Sequence, residues 1–207
     1  MYPTFLSSST NSYINNSTTT AFMKHLITIV QDSPAVSMSS TVQLAIATFH
    51  APSDPSSDGT RQEIIRATPS WFKGMPHYDC IFVNSNDDTN GMGGMEVACA
   101  ICFFFFSFVY FGVTYPCALV QWFSRRRIAE QPDDDTGMWM VSLGVDRNGD
   151  PNLAVIHIDC IFRAAHLIPI FGDSFIPDDI TPHNSLDSFK GFYVNCFIDY
   201  HAFDFAS

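Results

Sequence analysis

Between Val97 and Trp122 the chain carries no charged side chain, and the basic triplet Arg125-Arg126-Arg127 closes the run. A stretch this long and apolar must leave water, and two solutions do that. It spans a bilayer as a helix with the arginines as its positive flank, or it forms the core of a globular fold. The block is built mainly of Phe, Val, Tyr and Thr, which favour strands, and holds a single leucine, Leu119. Gly112 and Pro116 interrupt its middle. Divided there it gives "CFFFFSFVY" and "YPCALVQWF", each of strand length, on either side of a turn at 111–114. Strands covered on both faces read as continuous apolar runs without alternation. The residues favour a buried hairpin, and a single-pass membrane helix over 97–122 stands as the alternative.

The remainder of the 207 residues supports a core of some size, with 46% hydrophobic and 15% charged side chains. The formal charge of −11 disfavours a general nucleic-acid sleeve, which needs clustered Lys and Arg against phosphate. From Gly91 onward there are 14 acidic residues against 6 basic, so the C-terminal part carries most of the imbalance. Six cysteines sit mostly inside apolar runs, as buried thiols in a reducing compartment do. Cys99-x-x-Cys102 lacks the second pair of a zinc ribbon and reads as structural thiols. The N-terminus has no basic n-region of a secretory signal, so its Asn-x-Ser/Thr matches carry no weight.

Residues 1–20, rich in Ser, Thr and Asn, read as disordered. Residues 21–30 suit a short helix, 41–50 a helix or a strand, and 61–66 one helical turn. From Tyr78 onward, short apolar segments alternate with turn-rich ones: "YDCIFVN", "MWMVSL", "LAVIHIDCIF" and "HLIPIF". The expected fold is therefore a β-rich α+β domain over 65–207, a small barrel or bent antiparallel sheet with one or two peripheral helices. Residues 1–64 are expected to form a disordered head with short helices.

A set of landmarks runs through this region: "FHAPSD" (49–54), "IIRATPSW" (64–71), "YDCIFV" (78–83), "YPCALVQWF" (115–123), "DDDTGMWMV" (133–141), "AVIHIDCIFRAAHLIPIFG" (154–172) and "SLDSFKGFYVNCFIDYHAFDF" (185–205). Their order resembles the C-terminal region of proteins encoded by Plavaka-type DNA transposons of basidiomycete fungi, within the Kyakuja–Dileera–Zisupton group. The resemblance implies a soluble region, which favours the hairpin, and a catalytic transposase core lying upstream of it. Residues 1–43 hold nothing to supply that core. A non-catalytic accessory module without cofactor is therefore expected. Its partner would be protein or chromatin rather than a specific DNA sequence, in the nucleus or cytoplasm and away from membranes. The chain departs from the family pattern at Cys99, at Tyr200-His201 and in the greasier run 103–106, as a drifting transposon relic does.

Among groups that carry chemistry, His157-x-Asp159 with His201 forms the best metal constellation, since His and Asp two apart on a strand share a face. The competing reading has His157, Asp159, Arg163 and His166 in buried or interfacial hydrogen bonds. Arg125, Arg126, Arg127, Arg163 and His166 are the candidate interaction residues. Cys160 is not expected to act as a nucleophile, because Asp159 beside it would face the other way on a strand. Asp146-x-Asn148-x-Asp150 fails as a calcium loop, since its twelfth position is His157, and it reads as a turn. Asp133-Asp134-Asp135 reads as a solvated turn. Trp71, Trp122, Trp139, Phe192 and Tyr193 lack interleaved basic residues and read as packing aromatics.

Overall fold

In the segment "LAIATFH", Ala45, Ala47 and Phe49 are buried while Leu44, Ile46 and Thr48 are only partly so, the period-2 signature of a strand. The same rhythm places Glu63, Ile65 and Ala67 on the inner side of "TRQEIIRAT". In the computed structural model these are strands β2 (Leu44–His50) and β3 (Thr60–Thr68), paired antiparallel from Leu44 opposite Arg66 to His50 opposite Thr60. The structure describes residues 36–51, 59–85, 91–108, 113–125, 131–172, 175–176, 178, 180–181 and 184–207.

Two expectations change here. The helical turn at 61–66 is strand β3, because its inner face must stay in phase with Ile65 and Ala67. Strands also begin at β1 (Val36–Val42), inside the expected 1–64 head. Val42, Ala45 and Ala47 join Ile65 in one core, so the globular unit starts well before residue 65. The expected disorder of 1–20 and the helix at 21–30 lie outside the described residues.

A two-residue strand β4 (His77–Tyr78) completes the small sheet with β2 and β3. At Asp79 the chain passes into the large sheet. The Asp79 N–H donates to the Arg66 carbonyl, and the Asp79 carbonyl accepts from Ala100 N–H. The Asp79 carboxylate accepts from Arg66 N–H at 2.7 Å and meets His77 Nε2 at 2.8 Å, which fixes this corner.

The large sheet is nearly closed and barrel-like, and its ladders are antiparallel. It comprises β1, β5 (Cys80–Asn84), β6 (Met95–Phe108), β7 (Val113–Arg125), β8 (Met140–Leu143), β9 (Leu153–His157), β10 (Ile161–Ala165), β11 (Leu167–Pro169) and β12 (Phe192–Val194). Among the described residues two short α-helices accompany them, α1 (Ser185–Ser188) and α2 (Tyr200–Ala206). The path runs β10-β5-β6-β7-β8-β12-β11, with β1 also on β6 and β9 also on β7.

The apolar block is the β6–β7 hairpin, paired from Ala98 opposite Trp122 to Phe108 opposite Val113. Among the described residues no helix is long and apolar enough to cross a membrane, so the spanning helix over 97–122 gives way to the hairpin. Both faces of the hairpin are covered. Ala98, Ala100, Phe103, Ala118 and Val120 face the small sheet in one core. Val97, Cys99 and Phe123 face Phe192, Val194 and α2 in a second core, and Cys102, Phe104, Cys117 and Leu119 form a third cluster.

The register shifts between Ala100 and Cys102, so Ile101 is the extra residue of a β-bulge. That one residue moves the inward phase from even to odd positions, taking the first core from Ala98 and Ala100 to Phe103. It also divides β6 between partners, β5 on the near half and β1 on the far half. Phe103 and Phe104 are fully buried on opposite faces. Such burial contributes about 2–3 kcal/mol per ring relative to exposure.

Candidate functional site

Charged side chains inside the fold converge on Arg163. Strand β10 alternates, with Ile161, Arg163 and Ala165 buried, so the guanidinium points inward and is only 1% exposed. A charge placed there needs partners with matching geometry. Asp199 supplies a two-pronged contact, Arg163 Nη1 to Oδ1 at 3.1 Å and Nη2 to Oδ2 at 2.7 Å. Glu63 Oε1 accepts from the same Nη2, and Glu63 Oε2 accepts from Ala164 N–H at 3.0 Å. The guanidinium lies over the Phe49 ring, 4.5 Å from its centroid. Arg163 Nε has no acceptor among the described residues.

The same cluster anchors the C-terminal helix. Asp199 is the N-cap of α2 and accepts from Ala202 N–H at 2.7 Å. Arg61 approaches it from β3 at 3.6 Å. His201 stacks on Phe49 with centroids 5.0 Å apart, and its Nδ1 lies 3.3 Å from Arg163 Nη1. An arginine only donates, so Nδ1 accepts and the ring proton sits on Nε2. The electrostatics agree with this arrangement. The Arg163 hydrogen bonds hold the Asp199 carboxyl down at about 2. Burial, and then the adjacent guanidinium, lower the His201 pKa. Burial by itself would lower the Arg163 pKa, but Asp199 and Glu63 raise it above its ordinary value.

Of the constellation His157, Asp159 and His201, the first two meet, Nδ1 to Oδ2 at 3.5 Å, and His201 does not join them. β9 ends at His157, and Ile158–Cys160 form a 3-10 turn, so His157 and Asp159 are not two residues of one strand face. His157 caps that turn, its Nδ1 accepting from Asp159 N–H at 3.2 Å, and its ring meets Tyr115 edge-on. Meanwhile His201 sits among Phe49, Phe162 and Phe205. Among the described residues no three His, Cys, Asp or Glu side chains gather to hold a metal ion.

Arg125 is occupied within the fold. It donates to the Met92 and Met95 carbonyls and lies 5.0 Å from the centroid of the Trp139 ring. It borders a cavity of about 610 Å³ that Ser85, Glu96, Trp122 and Asn152 also line. Arg126 and Arg127 lie outside the described residues, and His166 is exposed. A second, apolar groove of about 430 Å³ opens between Phe104, Phe106, Tyr115, Cys117, Val155 and His157. The two acidic loops are turns. Asp133 Oδ1 accepts from the Thr136 N–H and hydroxyl, and Asp146 Oδ1 accepts from Asn148 and Asp150 N–H.

Glu63 escaped the sequence reading, although a signal existed. It lies in phase with Ile65 and Ala67, so a strand there turns a carboxylate inward and demands a buried cation. The interior cation of β10, Arg163, is that partner.

The chain matches no protein-family model, no curated protein and no solved structure.

Proposed function

We propose that this chain is a non-catalytic accessory module of a transposon-derived protein, and that it binds a protein or chromatin partner. The transposon attribution rests on the ordered sequence landmarks from "FHAPSD" to "YHAFDF". The observation that carries the binding reading is an apolar strip on the C-terminal segment. Phe197, Ile198, Tyr200 and Phe203 are 59%, 46%, 71% and 45% exposed, and the rings of Phe197 and Phe203 lie 5.8 Å apart. Between them, Asp199 points inward to Arg163, while Ala202 and Ala206 seat the inner side of α2. The buried charges thus fix a helix whose outer side presents aromatic rings to solvent. Clustered exposed apolar side chains on a rigid element favour macromolecular partners. The charge of −11 favours a basic or neutral protein surface over bare phosphate.

The test compares the full chain with the Tyr200→Asp/Phe203→Asp double variant. Each is immobilised and offered reconstituted nucleosomes, nuclear proteins and naked duplex DNA at physiological salt. Saturable capture of nucleosomes or one defined protein, lost in the variant and without duplex binding, supports the reading. Tight, steeply salt-dependent binding of the naked duplex that survives the double substitution overturns it.

A further inference from the structure

The sequence pairs Cys99 with Cys102 in a CxxC, but the fold gives Cys99 a different neighbour. In the β5–β6 ladder Cys99 stands directly opposite Cys80. Ala100 N–H donates to the Asp79 carbonyl at 3.0 Å, so the hydrogen-bonded position is one step along the ladder. Cys80 and Cys99 therefore occupy a non-hydrogen-bonded site, where facing Cα atoms lie about 4.5 Å apart and side chains come closest. That separation falls at the short end of the range that disulfides span, roughly 4.4–6.8 Å. Both thiols lie in the same core, 8% and 6% exposed. Cys102 has another environment: it faces Leu119 across the β6–β7 ladder, beyond the Ile101 bulge, in a separate cluster with Cys117.

We propose that Cys80 and Cys99 are a modification site, a thiol pair that a peroxide converts to a reversible disulfide across β5 and β6. Burial of both sulfurs excludes bulky reagents, so the oxidant class is a small neutral peroxide. The adjacent Cys99 thiol, together with burial, raises the Cys80 pKa well above the ordinary thiol value. The bonds change in the same way whichever sulfur leads; here the Cys99 sulfur leads. It bonds to one peroxide oxygen as the O–O bond breaks, giving a sulfenic acid, and the departing hydroxide takes the Cys99 proton as water. Cys80 sulfur then attacks the Cys99 sulfur and displaces hydroxide, which takes the Cys80 proton as a second water. Two thiols and one hydrogen peroxide yield one disulfide and two waters. An external thiol reverses the step by exchange.

The experiment treats the full-length native chain with hydrogen peroxide, blocks remaining thiols with iodoacetamide after unfolding, and maps unreduced peptides by mass spectrometry. The expected result is a linked peptide joining Cys80 and Cys99. Two of the six thiols are lost to alkylation, and dithiothreitol restores both. Cys102→Ser is expected to leave the link intact, and Cys80→Ser to abolish it. Should Cys80→Ser fail to fold, the wild-type map decides by itself. A Cys99–Cys102 link overturns the proposal, and so does recovery of all six thiols unoxidised after prolonged exposure.

Discussion

Arg163 and Asp199, 36 residues apart in sequence, meet through two parallel hydrogen bonds in a site where the arginine is 1% exposed. This contact joins strand β10 to the cap of the C-terminal helix, and Glu63 extends it to β3. Truncating one partner strands a buried charge, which costs about 3–5 kcal/mol. Asp199→Ala also removes the cap of α2 but leaves Glu63 on the arginine, so a loss of about 3 kcal/mol is expected in denaturant unfolding. Arg163→Lys is expected to rescue little, since an ammonium cannot span both carboxylates as the planar fork does. Full stability in Arg163→Lys would mean that the fork geometry is not what holds the helix.

Acid should weaken the same joint. The Asp199 pKa is lowered in the folded chain to about 2, against 3.8 ordinarily. A depressed carboxyl contributes stability that is present above the unfolded value and lost as pH falls through the folded one. The window therefore runs from about pH 4 down to about pH 2. His201 acts with the same sign, because its lowered pKa makes protonation costlier in the folded chain than in the unfolded one as pH falls below 6.5. Chemical denaturation between pH 7 and about pH 2 is expected to show stability falling with acid, with a shallower slope below about pH 4 in Asp199→Asn. Equal slopes would place the acid sensitivity elsewhere.

The bulge at Ile101 sets which face of β6 each phenylalanine takes. Deleting Ile101 removes the extra residue, so that the Ala100–Val120 and Cys102–Leu119 pairs become consecutive and Phe103 keeps its place in the core with Ile65 and Val120. The deletion is expected to leave unfolding cooperative, with a smaller loss of stability than a cut into the core. Phe103→Ala keeps the register and is expected to cost about 3–5 kcal/mol while the chain stays folded. Near-UV circular dichroism and denaturant unfolding of the two variants check this ranking, and a deletion that unfolds the chain would contradict it.

Gly144 has no room for a side chain. A Cβ there would meet the Trp122 carbonyl oxygen at 2.6 Å, and Gly144 N–H already donates to that oxygen. Gly144→Ala must push β8 from β7 and is expected to lower stability by about 1–3 kcal/mol. Gly137 has open space around it but a φ of +67°, so Gly137→Ala carries only the cost of backbone strain, about 1 kcal/mol. Thermal unfolding of the pair ranks the two effects.

How much of this was legible follows from the range of each signal. The hairpin was readable because its determinants are local: strand formers, an interrupting Gly112 and Pro116, and lengths that fit two strands. The turns at Asp133 and Asp146 were readable for the same reason, since their hydrogen bonds close within four residues. The strand at 61–66 was obscured because its inner face carries Glu63, and a charge in an apolar phase hides the alternation. Its meaning depends on Arg163, a hundred residues away. The Cys80–Cys99 pair and the separation of His157 from His201 depend on ladder register and strand ends. The Ile101 bulge and the turn at Ile158–Cys160 set these, and no spacing rule in the sequence encodes either.

The most direct test is amide hydrogen exchange on the full chain in the absence of detergent, with far-UV circular dichroism of the same sample. The expected result is a strand-dominated spectrum, with the slowest exchange in residues 97–104 and 117–120, where the hairpin is covered on both faces. A helical spectrum, or rapid exchange throughout those segments, would contradict the hairpin core from which the rest of the fold is built.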